Sequence, residues 1–318
     1  MRSALIVSIA LAACGVLGSN DLTADATPTA TADVVTADAT AEAPDTSVPL
    51  ELPYFEGQRY VLPGSHANVV KRMRFTALVE PGVALGFDLD SKVSEEGEVE
   101  SCGHGDLLDP EGNAGIDNQL AKIWSDLQPL VGTQVDALLQ GAINEGRVLL
   151  MFELEGMDDL KNDDSVTLNV FRGLLDPDVG TFGYIAPDQS FDYDYEKPIS
   201  TVENVQIVDG QLEAGPVVLQ IPIAILDLNI VAELYYGRVH LDIADDGTFS
   251  GYIGGALNLP EVIDAMLKTG AAAETELVRP IFEDAADMTP VDGVCTYISI
   301  GVTIEGTRAY VVRDGAKE

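Results

Sequence analysis

Residues 217-VVLQIPIAILDLNIVAELYYGRVHLDIADDGTFSGYIGGAL-257 decide the fold class. In the first part the apolar side chains fall on odd numbers: Val217, Leu219, Ile221, Ile223 and Ile225. A period of two sends alternate side chains to opposite faces of an extended chain, so the run reads as a half-buried strand. Parity then reverses, with Leu226, Leu228, Ile230, Ala232 and Leu234 all even. One extra residue turns every following side chain to the other face, so the reversal requires a bulge or a tight bend. Val239, Leu241 and Ile243 follow, then the turn Asp245-Asp246-Gly247, then Phe249, Gly251 and Ile253. Asp-Gly between alternating runs is a hairpin signal, and the whole stretch reads as an antiparallel meander.

The same alternation recurs at Val83, Leu85, Phe87 and Leu89, at Val148, Leu150, Phe152 and Leu154, and at Val166, Leu168 and Val170. Ile298, Ile300, Val302 and Ile304, a turn at Glu305-Gly306, and Tyr310 to Val312 form a closing meander. Two helix pairs interrupt the strands. In the first, Asp117 caps a helix carrying Leu120, Ile123, Leu127 and Val131. Thr133 caps its partner, with Val135, Leu138, Leu139, Ala142 and Ile143 and a stop at Gly146. The later pair holds Val262, Ile263, Met266 and Leu267, then Leu277, Ile281 and Ala285, with Pro280 kinking or starting its second helix. The expected class is α+β: antiparallel β-sheet meanders covered by two helix pairs.

Upstream lies a different kind of sequence. Met1 and Arg2, a short apolar run from Ala4 to Ala13 and small residues form a secretory signal over residues 1–13. That run is half the roughly 20 residues a membrane-spanning helix needs. Leu11-Ala12-Ala13-Cys14-Gly15 resembles a bacterial lipobox, which makes Cys14 the lipid-bearing first residue of the mature chain. Ordinary signal cleavage after Ala12 or Ala13 is the alternative. Residues 14–50 repeat Thr, Ala, Asp and Pro, with no Lys, Arg or aromatic residue between Cys14 and Leu50, and read as a disordered tether. Residues 51–318 suffice for one large domain or two small ones, with similar halves at about 51–200 and 201–318 a possibility.

Seventeen Lys and Arg against 53 Asp and Glu leave a net charge of -36. Phosphate backbones repel such a surface, so nucleic acid is excluded as a partner. Bound divalent cations, a salt-rich habitat and plain solubility each account for the acidity. With Cys14 used, Cys102 and Cys295 are an even exported pair and read as a disulfide. Their spacing with His66, His104 and His240 matches no zinc pattern.

The sequence carries no GxSxG, HExxH, Walker A or dinucleotide motif. His240 alternates with Val239 and Leu241 and reads as a solvent-side strand residue. The distinctive region is Phe87 to Gln119. Asp88, Asp90, Asp106, Asp109, Glu111, Asn113 and Asp117 supply carboxylate and amide oxygens on a Gly-bent loop, the inventory calcium uses. They do not fit the EF-hand register, and an acidic solvated turn is the competing account. A second loop, with Asp192, Tyr193, Asp194 and Tyr195, pairs rings that stack on sugars with carboxylates that accept their hydroxyl protons; Tyr235 and Tyr236 add further aromatics.

The runs 115-GIDNQLAKIW-124 and 162-NDDSVTLNVFRG-173 resemble uncharacterised lipoproteins of myxobacteria and related bacteria, over most of the chain beyond the tether. The resemblance implies an envelope location and no particular activity. The leading expectation is a non-enzymatic, lipid-anchored envelope protein at the outer membrane that binds a surface ligand, possible ligands including glycan. A polysaccharide-acting hydrolase and a carrier of an apolar ligand are the alternatives, the carrier if the 217–257 sheet curls round a cavity.

Overall fold

The computed structural model describes residues 59–62, 64–194, 200–225, 228–270, 272–290 and 292–314. The expected signal, Cys14, the tether and Tyr195 lie outside them. In chain order the elements are Arg59–Val61 (β1), His66–Phe75 (β2), Leu107–Leu108 (β3), Ala114–Ile116 (β4), Gln119–Asn144 (α1), Leu150–Glu155 (β5) and Asp163–Arg172 (β6). Gln189–Phe191 (β7), Ser200–Val208 (β8), Gln211–Ile225 (β9), Leu228–Ile243 (β10), Phe249–Asn258 (β11), Leu259–Lys268 (α2), Ala272–Asp284 (α3) and Tyr297–Asp314 (β12) follow.

Neighbouring strands pair in the order β12, β11, β10, β9, β8, β6, β5, β2, and β2 pairs back onto β12. Every one of these pairings is antiparallel. The meanders therefore do not form open sheets; they close into a ring that leaves no free edge among these eight strands. Residues Pro53–Glu318 form one compact unit, with strands from before and after residue 200 in the same ring.

An eight-stranded ring is just wide enough for side chains to fill it. Phe152 on β5 and Phe249 on β11, two strands that are not neighbours, meet edge to face with centroids 5.3 Å apart. Leu168, Ile207, Leu212, Leu219, Leu241, Ile253 and Ile304 are all buried. The alternate positions of β9 and β10 include Gln211, Glu213, Arg238 and Asp242, so polar groups face outward, the reverse of a barrel standing in lipid. No helix among the described residues is long and apolar enough to cross a membrane.

The parity reversals have two origins. Leu228 pairs with Ile225, so two residues separate the paired positions, and a tight hairpin exchanges odd for even. The return to odd positions at Val239 is a bulge between Tyr235 and Arg238, with Tyr236 in the left-handed region at φ 56°. At the expected turn Glu305-Gly306 the single long strand β12 runs straight on, and the register against β2 shifts there, with Lys71 of β2 as the extra residue. Across that shift the buried side chains of β12 change from Ile300, Val302 and Ile304 to Thr307, Ala309 and Val311. Paired along both edges, β12 has no need to reverse.

Two further expectations are corrected. The segment Val83 to Leu89 is no strand: it makes only isolated bridges, Val83 with Glu80 and Leu108, and Phe87 with Asp117. Its backbone bonds go to other loop segments, and both Ala84 and Phe87 are buried, so the alternation does not separate core from solvent. The first helix pair is one helix, α1, running through Pro129 and Gly132. Those residues cost up to ~3 and ~1 kcal/mol of propensity. Burial of Trp124 before them, and of Val135, Leu139, Ala142 and Ile143 after, outweighs that cost. Its cap is Asn118, whose side chain accepts from the Ala121 N–H at 3.3 Å, and not Asp117. The chain leaves the helix through Gly146 at φ 68°, as the sequence indicates. The later pair forms as α2 and α3, with Pro280 inside α3. Helix α1 packs on β2 and β12 and also on β9, which lies across the ring, so the helix spans its mouth and does not cover an outer face.

Close strand approach makes one glycine indispensable. A Cβ on Gly251 would stand 2.0 Å from the His240 carbonyl oxygen on β10. Gly251→Ala should destabilise the fold by about 1–3 kcal/mol or more, while Ser250→Ala, on an exposed neighbour, should be near neutral. Denaturant midpoints of the two variants provide the comparison.

Candidate metal centre

The loops between β2 and α1 lie on the outer face of β11 and β12. Phe87 fills the space a side chain at Gly254 would need, and Asn118 and Thr76 fill that at Gly301. The Nδ2 of Asn118 donates to Thr76 Oγ1 and to the Leu85 carbonyl, both at 2.7 Å. These bonds hold the start of α1 beside the segment Phe87–Lys92.

In that segment the N–H of Lys92 donates to Asp90 Oδ1 at 2.9 Å and to Asp88 Oδ1 at 3.2 Å. Ser91 takes φ 62° to make the turn. Asp117 reaches in from the other side, its Oδ2 accepting from the Leu89 N–H at 2.6 Å. One carboxylate oxygen from each of Asp88, Asp90 and Asp117 lies within 4.8 Å of the others. Gly115, at φ 96°, permits the closure: a Cβ there would press on the Lys92 carbonyl at 3.1 Å and on Asp88 Oδ2 at 3.4 Å.

Burial above all, with the charges of Asp90, Asp106 and Asp287 and against the lowering bond from Leu89, pushes the Asp117 carboxyl up to about 8. Burial also raises Asp106, helped by Asp90 and Asp88. Asp287 is pushed up to about 6, again by burial, although Ser299 donates to it from both its N–H and its hydroxyl. Lys92, in the same loop, directs its ammonium to Glu100 at 2.8 Å, and Lys122 directs its own to the Gly105 carbonyl. Carboxylates thus converge where the neighbouring ammonium groups are engaged elsewhere. Hard oxygen donors so placed suit a hard divalent cation; Asp88, Asp90 and Asp117 would hold it, with Asp106 adding charge nearby.

The loop is fastened to the far end of the chain. Cys102 and Cys295 form a disulfide with Cα atoms 6.0 Å apart across 193 residues of sequence. A closure of that length is worth about 5 kcal/mol on the chain-entropy account. Beside it, the two ring nitrogens of His104 bond to the Gln119 amide through Nδ1 at 2.8 Å and to the Asp284 carbonyl through Nε2 at 2.7 Å. The Gln119 N–H donates to Ser299 Oγ at 2.8 Å, completing a chain from α1 through β12 to Asp287.

Other sequence candidates stand apart. Asp109 accepts from the N–H and the side-chain amide of Asn113, both at 2.7 Å, so Asp109, Glu111 and Asn113 make a turn of their own. Asp192, Tyr193 and Asp194 run along the end of β6: Leu174 N–H donates to the Asp192 carbonyl, Asp194 N–H donates to the Arg172 carbonyl, and Tyr193 packs on Phe171 at 5.5 Å. Tyr193 is therefore partly in the core. Tyr235 donates between Glu233 and Glu261, with Tyr236 and Tyr297 beside it. His240 is not a free solvent-side residue: its ring stacks on Tyr252 at 4.9 Å and faces Glu213 and Asp242. Asp287 carries no sequence signal, being one acid among 53 and 170 positions from Asp117.

Ionising Asp117 is harder in the folded chain than at its ordinary value of 3.8. Between pH 3.8 and about 8 the folded state therefore holds more proton than the unfolded chain, and stability falls as pH rises through that window. Asp287 contributes in the same sense only up to about 6, so the upper part belongs to Asp117. Without divalent cation, denaturant midpoints should drop from about pH 6.5 to about pH 8, and Asp117→Asn should remove most of the drop.

Compared with known protein families, with curated proteins and with solved structures, the chain matches none.

Proposed function

We propose that this chain is a non-enzymatic binding protein of the bacterial cell envelope, held by lipid on Cys14, whose outer-face loop is organised by calcium. The observation that carries the cation reading is the convergence of Asp88, Asp90 and Asp117 within 4.8 Å beside a disulfide-fastened loop. A bound dication would offset the burial and the neighbouring negative charges that keep Asp117 hard to ionise, and would stabilise the folded state by mass action. Calcium suits the site better than magnesium because irregular loop oxygens tolerate its variable geometry.

The envelope reading rests on the signal pattern of residues 1–13, the Cys14 lipobox, the oxidised pair Cys102 and Cys295, and the resemblance to envelope lipoproteins. A net charge of -36 makes attraction to anionic headgroups unfavourable, leaving acyl chains as the membrane hold. A hydrolase acting on polysaccharide would need a pair of acids free to exchange protons. The close pair Glu153 and Glu155 is instead bound to Arg313, with Glu153 fully buried.

Millimolar calcium should raise the melting temperature by several degrees, equivalent to about 2.7 kcal/mol at a hundredfold excess over Kd. Magnesium should do less. In Asp88→Ala/Asp90→Ala the rise should vanish; an unchanged melt of the original chain with calcium or chelator would end the cation reading. Separately, Cys14→Ser expressed in a bacterial host should move the protein from the membrane to the aqueous fraction and remove the acyl mass. An unaltered partition and mass would end the lipid-anchor reading while leaving the calcium test untouched.

A further inference from the structure

At the mouth of the ring, α1, α2 and α3 and the strands β2, β11 and β12 enclose a cavity of about 110 Å³. Its walls present no polar surface; Phe75, Trp124, Val262, Ile281, Phe282 and Ile298 are among them. Water needs two to four polar partners to occupy a buried site, and none is offered here, so the space excludes water. An apolar cavity of roughly 150 Å³ admits benzene or xenon, which sets the scale of an occupant.

The wall formed by α3 is built to yield. Helix α3 packs chiefly on α2, and Pro280 in its interior has no N–H to return to the preceding turn. Gly270, at φ 86°, lies between the two helices. Ile281 both lines the cavity and is 46% exposed, so at that point the wall is a single side chain thick. The far end of α3 is fixed by His104 on the Asp284 carbonyl and by the disulfide at Cys295. A hinge at one end, an anchor at the other and a thin wall between them describe a door over an apolar chamber.

We propose that this cavity is a binding site for a compact, uncharged apolar group the size of one aromatic ring, admitted past Ile281 by movement of α3. The site is separate from the acidic loop and stands whether or not that loop binds calcium. The walls make no hydrogen bond to an occupant, so recognition is by shape and exclusion of water, and a charged or hydroxyl-rich ligand is rejected.

Trp124 is the chain's one tryptophan, and it lines the cavity, so its emission reports occupancy. The full chain, disulfide intact, is titrated with toluene and in a parallel arm with decanoate, whose apolar chain is extended and ends in a carboxylate. Toluene should change the emission saturably and raise the melting temperature, and decanoate should bind at least tenfold more weakly. Val262→Phe, which fills the space, should weaken the toluene response at least tenfold. Should that variant fail to fold, Val278→Ala decides: the enlarged chamber should take naphthalene, which the original chain refuses. Absence of a saturable toluene response, its persistence in Val262→Phe, failure of Val278→Ala to gain naphthalene, or tighter binding of decanoate than of toluene each overturns the proposal.

Discussion

The pairing of β12 with β2 is the contact on which the rest of the structure depends. Eight residues of one strand, from Val302 to Ala309, meet β2 from Phe75 back to Ala67, across more than 220 positions of sequence. Without that ladder both strands would be edges, and the apolar faces of both meanders would lie open to water. With it, Phe152 and Phe249 meet in the interior and the outer face is left to polar side chains. The register shift at Glu305-Gly306 is part of the same arrangement. Across it one long strand buries its even residues beside β11 and its odd residues farther along, where β7 joins the sheet.

A closed ring also determines where everything else can go. Helix α1 spans the mouth, and the residues leading into it lie against the outside of β11 and β12. Their positions depend on glycines: Gly254 yields to Phe87, Gly301 to Asn118 and Thr76. The acidic loop is thus pressed against a rigid wall and then tied, by Cys102–Cys295 and His104, to the connection between α3 and β12. One consequence is electrostatic. Asp117 and Asp287, far apart in sequence, both lie in a poorly solvated region where burial makes each harder to ionise, and the charge of Asp287 adds to the effect on Asp117. A second consequence is mechanical, since the anchor that steadies the loop also steadies one end of α3.

These two features belong to different chemistries. The loop gathers hard oxygen donors at the surface; the chamber at the mouth presents only carbon. On the readings proposed above, the first would respond to the ionic medium and the second to apolar solutes. The disulfide and His104 link the two regions through one short stretch, Asp284 to Cys295.

What the sequence by itself determined was local. The alternation in 217–257 specifies strands and the places where they must reverse or bulge, because side-chain parity is a property of consecutive residues. The oxygen-rich run from Asp88 to Asp117 is legible for the same reason, while the Cys102–Cys295 pair is read from cysteine number alone. Only the tertiary structure decided that the strands close into a ring, since no residue in β2 or β12 marks its partner. It alone selected Asp88, Asp90 and Asp117 from a longer acidic run, left Asp109 to its own turn, and added Asp287. It fused two expected helices into α1, because burial at both ends outweighs the local cost of Pro129 and Gly132. The chamber beside Trp124 was invisible beforehand on the same physical ground: an empty volume belongs to no residue, and exists only where distant side chains fail to meet.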